Sequence, residues 1–109
     1  MAYDTELAEW IESVMERWDG ITRKAMFGGV AYLLRGNMCV GVLRDNLILR
    51  VGEETASSLK TRPGVTDFDI TGRPMVGWVM IAPDGYWDDA VFTDLLRAAR
   101  EFAAALPAK

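Results

Sequence analysis

Residues 30–51 read VAYLLRGNMCVGVLRDNLILRV. Gly36-Asn37 and Asp45-Asn46 divide this stretch into three apolar runs, 30–34, 38–44 and 47–51. Two-residue turns of this chemistry accept positive φ and join antiparallel neighbours, so the spacing predicts a three-strand meander. Both sides of these strands are apolar. Met38, Val40 and Val42 alternate with Cys39 and Leu43; Leu47, Leu49 and Val51 alternate with Ile48 and Arg50. A sheet with helices on one face and water on the other alternates apolar with polar. The pattern therefore predicts a cover on both faces.

The reading extends in both directions from this core. Upstream, 21–27 has the period of a strand, and 5–18 has the period of an amphipathic helix. In that helix Leu7, Trp10, Ile11, Val14, Met15 and Trp18 share one side, and Glu6, Glu9, Glu12 and Glu16 the other. Asp4 or Thr5 is suited to cap it, and Asp19-Gly20 to stop it. Downstream, Glu53 and Glu54 open a short helix to about residue 60. Strands are expected at 68–70 and 76–82, a turn at 83–85, and a last helix from 88 to 106 with a Val91, Leu95, Ala98, Phe102, Leu106 stripe. The order is helix, four strands, short helix, two strands, helix. It predicts an α+β, two-layer domain over residues 1–109: an antiparallel meander sheet of about six strands with N- and C-terminal helices. The crossover helices of a Rossmann-like fold are missing from the pattern.

Three stretches carry a resemblance. They are Lys24-Ala25-Met26-Phe27-Gly28-Gly29 running on to Tyr32 and Leu33; Gly36-Asn37-Met38 followed by Leu47-Ile48-Leu49-Arg50-Val51; and Thr71-Gly72-Arg73-Pro74-Met75 with Gly77-Trp78-Val79 after it. In this order and spacing the chain resembles the TfoX N-terminal domain family, from the first helix to the last. The resemblance implies a secretion-chaperone-like fold and a competence-regulator-like context. It is closest in form to the short standalone members, for which it supplies no established activity. Ala25 stands where many members carry a basic residue.

Composition narrows the function. Of 109 residues, 50% are apolar and 26% charged, which suits a globular core. The one cysteine, Cys39, permits no disulfide within the chain, and the acidic N-terminus is unlike a signal peptide. The longest uncharged runs, 25–34 and 74–83, fall short of the ~20 apolar residues of a membrane span. These features point to a cytoplasmic protein without a membrane partner. There is no histidine, which excludes Ser-His-Asp and Cys-His catalysis and Cys/His metal clusters. Cys39, in mid-strand, is expected to be a buried structural thiol. Gly28-Gly29 lacks the following Gly-Lys-Ser/Thr of a phosphate loop and reads as a bend. No cofactor and no metal are expected, and nothing in the residues points to an enzyme.

Charge is uneven. Residues 1–20 carry a net −5, residues 21–75 a net +3 and residues 76–109 a net −2. The candidate binding residues lie in or near the basic centre: Lys24, Arg50, Arg73 and Trp78. A guanidinium in the Gly-Arg-Pro loop could hold a carboxylate or phosphate with two bonds. Alternatively Arg50 and Arg73 form internal ion pairs with Asp67, Asp69 or Glu54. With sixteen acids against twelve bases and no recognised motif, direct nucleic-acid binding is not expected. The expected function is a non-catalytic module acting through protein contacts, with the partner unnamed. The alternative is a small-molecule binder or an enzyme using Arg and carboxylate groups. The doubly apolar strands make a homodimer the expected state.

Overall fold

A computed structural model describes residues 3–26, 28–69 and 72–108. Helix α1 (Thr5–Met15) precedes strands β1 (Ile21–Met26), β2 (Gly29–Leu34), β3 (Asn37–Leu43) and β4 (Asn46–Arg50). Then come α2 (Glu53–Leu59), β5 (Val65–Asp67), β6 (Trp78–Ile81), α3 (Pro83–Tyr86) and α4 (Asp89–Ala104). The six strands form one antiparallel sheet in the order β1-β2-β3-β4-β6-β5. The first four make the expected meander. The chain then passes to the far edge as β5 and returns as β6 between β5 and β4.

Cross-strand rows alternate between the two faces. The rows Ala25–Val30–Val42–Leu47–Ile81–Val65 and Arg23–Tyr32–Val40–Leu49–Val79–Asp67 point to the helices. Their central members are buried in the main core with Ile11, Met15, Phe92, Leu96 and Ala99 of α1 and α4. Burying one such side chain is worth about 2 kcal/mol. Ala56 and Leu59 of α2 join the same cluster, so α2 packs with the other helices. The row between them, Lys24–Ala31–Gly41–Ile48–Met80–Thr66, belongs to the opposite face.

Strand β3 breaks the alternation once. The register shifts between Tyr32 and Leu33, so that Tyr32 faces Val40 and Leu33 faces Met38. Cys39 is the extra residue of this β-bulge, which turns both Cys39 and Val40 into the core at zero exposure. Burial pushes the Cys39 thiol up to about 12, as expected of a structural thiol.

Local chemistry explains the element ends. Asp4 Oδ1 accepts from the N–H groups of Glu6 and Leu7, and Asp88 Oδ1 from those of Ala90 and Val91; each caps a helix. Several boundaries differ from expectation. Helix α1 stops at Met15 rather than Trp18. The hairpin turns sit one residue early, with Arg35 (φ 52°) and Gly36 (φ 87°) in the first and Arg44 (φ 59°) in the second. Asn37 is drawn into β3, where its amide Nδ2 donates to the Pro107 carbonyl at 2.8 Å. The penultimate strand is 65–67 rather than 68–70, because Val65 buries its side chain opposite Ile81; Ile70 lies outside the described residues. Residues 83–86 form a short helix rather than a simple turn, with Pro83 in its first turn. The buried stripe of α4 is Phe92, Leu95, Leu96, Ala99 and Ala103, about one residue round from the expected one. The small Ala99 and Ala103 let the helix approach the sheet.

The two adjacent glycines do different work. Gly28 has φ 78° with open space around it, whereas a Cβ on Gly29 would lie 1.9 Å from the Val42 carbonyl oxygen. Gly28→Ala should cost about 1 kcal/mol from backbone strain. Gly29→Ala should cost more, about 3 kcal/mol, because two strands must separate; urea unfolding of the two variants measures the difference. A second expectation concerns Cys39. Below pH 9 a thiol reagent should label it only as fast as the protein opens. The stability gained by burying the neutral thiol should be intact below its ordinary pKa of 9.0 and decline as the pH rises toward 12. Ellman's reagent with and without denaturant, and urea midpoints across that pH range, read both effects.

Candidate functional site

Arg50 and Trp78 are direct cross-strand partners at the end of β4 and β6. The Arg50 guanidinium lies 5.5 Å from the centroid of Trp78 and 5.5 Å from that of Phe102, near the end of α4. Phe68 adds a third ring, 5.8 Å from Trp78. The approach of Phe102 is made possible by Gly52, where a Cβ would meet its ring at 2.9 Å. A cation held against aromatic faces is attracted by their quadrupoles, worth about 1 kcal/mol at a half-exposed site. Arg50 thus has internal partners, though rings rather than the carboxylates expected. Among the described residues Asp67 pairs with Lys60 at 2.7 Å, and Asp69 Oδ1 accepts from the Gly72 N–H at 2.7 Å.

The other two candidates stand apart from this cluster. Arg73 is exposed in the loop before β6. That loop is anchored where the Met75 N–H donates to the Phe68 carbonyl at 2.9 Å. Lys24 is exposed on edge strand β1, in the row that crosses the open face through Ala31, Gly41 and Ile48. The structure therefore joins Arg50 to Trp78, while Lys24 lies on β1 with β2 and β3 between it and β4, and Arg73 is exposed in its loop.

Sequence reasoning missed a polar cluster where α1 crosses β1 and β2. The Tyr32 hydroxyl donates to Glu12 Oε2 at 2.7 Å, and Arg23 donates to the same oxygen at 2.6 Å. The second guanidinium nitrogen donates to the Tyr3 hydroxyl at 2.9 Å. Burial and then the Glu12 carboxylate hold the Tyr32 phenol far above its usual range. A phenol so disfavoured as an anion is no nucleophile; the cluster ties the helix to the sheet. Glu12 reads in sequence as one more solvent-side acid, and only its placement over Tyr32 reveals the contact.

The side chains of the helical layer also frame a cleft at the N-terminal ends of α1 and α4. Its lining includes Asp4, Glu6, Trp10, Tyr86, Trp87 and Asp89. Trp10 stacks on Phe92 with ring centroids 3.7 Å apart and meets Tyr86 edge-on at 6.2 Å. Trp87 is 75% exposed. Among the described residues no group of three or more Cys, Asp or Glu side chains could hold a metal ion, and no helix is long and apolar enough to cross a membrane.

No curated protein and no solved structure gave a match. A family model does match: the TfoX N-terminal domain covers residues 5–103, from the first turn of α1 almost to the end of α4. With the match spanning every helix and strand, the chain belongs to the TfoX N-terminal domain family.

Proposed function

We propose that this chain is a non-catalytic, TfoX-like binding module that works through protein contacts, and first of all as a homodimer joined by the open face of its sheet. The observation that supports this is the one-sided packing of the helices. Residues of α1, α2, α3 and α4 all enter the core on one face. The other face is still apolar. Ala31, Gly41 and Ile48 are buried along its middle row, and Met26, Leu33, Met38, Leu43, Trp78 and Met80 are half-buried around them. Ala31 and Ile48 are already fully buried within the single chain, so a second surface would meet the half-buried apolar rim around them. Three methionines at the margin can repack against it. Met75 and Val76, both exposed, extend the apolar stretch next to Trp78. A second copy of the chain presents the same surface, and two-fold pairing is the commonest way to bury it.

In this reading Lys24 and Trp78 border the contact and Arg73 flanks it, while Arg50 steadies Trp78 from within. The module acts in the cytoplasm. Light scattering coupled to size exclusion should return a dimer mass at micromolar concentration. A monomer mass across that range overturns the homodimer. Met80→Glu, at a half-buried position, should give a folded monomer, while Glu9→Lys on exposed α1 should leave the dimer intact.

DNA binding forms no part of this function. Lys24 on β1 and Arg50 on β4 have two strands between them, and the chain carries a net charge of −4. Affinity of the sequence-independent kind weakens steeply with salt. A gel shift at about 150 mM salt should show no retarded band, and tight binding there contradicts the reading.

A further inference from the structure

We propose that the cleft between the start of α1 and the α3–α4 junction is a binding site for a small organic ammonium ion, of the quaternary or methylated class. The cleft encloses about 500 Å³, within the range of small-ligand pockets. Three aromatic side chains line it: Trp10, Tyr86 and Trp87. Asp4, Glu6 and Asp89 also line it, and among the described residues no basic side chain does. Aromatic faces together with nearby carboxylates form the environment that attracts a diffuse organic cation.

The alternatives fit this chemistry less well. A helix N-terminus ordinarily favours an anion. Here two N–H groups at each start already donate to a capping carboxylate, Asp4 in α1 and Asp88 in α4, and the side-chain charge lining the cleft is negative. Tyr86 registers that field. Its phenol is pushed up to about 12 by burial, and the Asp4 and Asp45 carboxylates add to the shift. A bare metal ion needs several oxygens converging at one point, and the carboxylates here do not form such a group. A purely apolar ligand would make no use of the exposed Glu6 and Asp89 carboxylates that line the cleft.

Trp87 is the most telling residue. Core packing does not account for it, since it is 75% exposed, and yet it lines the cleft beside a well-ordered aromatic cluster. The anchors beneath it are fixed. Trp10 is stacked on Phe92, and the Tyr86 hydroxyl donates to the Asp45 carbonyl at 2.8 Å. The rigid floor is thus in place, and Trp87 is the wall that can settle over a bound cation.

The test is a titration of the whole chain with choline, followed by NMR of the indole N–H signals. The Trp87 signal is assigned by its loss in Trp87→Ala. The neutral isostere 3,3-dimethylbutan-1-ol serves as control. Choline should move the Trp10 and Trp87 signals saturably and bind about tenfold more tightly than the isostere. Trp87→Ala should weaken choline by about tenfold, and Asp89→Asn by about threefold, with the remaining spectrum unchanged. A peptide carrying trimethyl-lysine distinguishes the source of the cation. Affinity equal to that of choline marks a free small molecule, and affinity more than tenfold higher marks an ammonium borne on a protein. No saturable shift, equal affinity for choline and its isostere, or full choline affinity in Trp87→Ala each overturns the proposal.

Discussion

The seating of α4 on strands β3 and β4 is the contact on which the rest of this structure depends. Phe92, Leu96, Ala99 and Ala103 share one core with Val40, Val42, Leu47 and Leu49. The two alanines hold the helix close to the sheet, so its larger side chains reach outward to order their neighbours. Phe92 receives Trp10 in a parallel stack and thereby places α1. Phe102 lies against Gly52 and beside the Arg50 guanidinium, which fixes the corner where β4 passes into α2. Beyond the helix, the Pro107 carbonyl accepts from Asn37, the one buried polar residue among those described.

This arrangement uses its chemically versatile groups as structure. Cys39 is turned inward by a bulge, where a charged thiolate would be costly. The Tyr32 hydroxyl is spent on Glu12, and the Tyr86 hydroxyl on a backbone carbonyl. Arg50 is engaged with two rings. Groups that could have been nucleophiles, acids or anion ligands are thus held in neutral or already partnered states.

The two sides of the molecule differ in character. The face of the sheet away from the helices is apolar, with Ala31 and Ile48 fully buried at its centre and a half-buried apolar rim around them. On the helical side Asp4, Glu6 and Asp89 line one cleft where α1 and α4 begin. Trp10 lies on Phe92 and Arg100 lies over Trp18, so the two helices run side by side in the same direction. Their N-terminal carboxylates therefore meet at one end, beside the exposed indole of Trp87.

The sequence by itself determined the meander, because two turn signals of two residues leave the runs at 30–34, 38–44 and 47–51 only antiparallel neighbours to pair with. It determined the terminal helices through their period and their aspartate caps. It showed that Cys39 would be buried, which follows from the apolar character of its immediate neighbours. Tertiary structure alone decided the rest. The insertion of β6 between β4 and β5 rests on Val65 and Ile81 pairing across a long connection. The bulge at Cys39 depends on the register of a partner strand. The rotation of the α4 stripe toward Phe92 and Ala99 was settled by how closely the sheet could be approached. Glu12 meeting Tyr32 and Arg50 meeting Phe102 join residues 20 and 52 positions apart, and Trp10 meets Tyr86 across a greater distance still. Such contacts leave no periodic trace, because local pattern records which way a side chain points from its own element and not which distant element is packed against it.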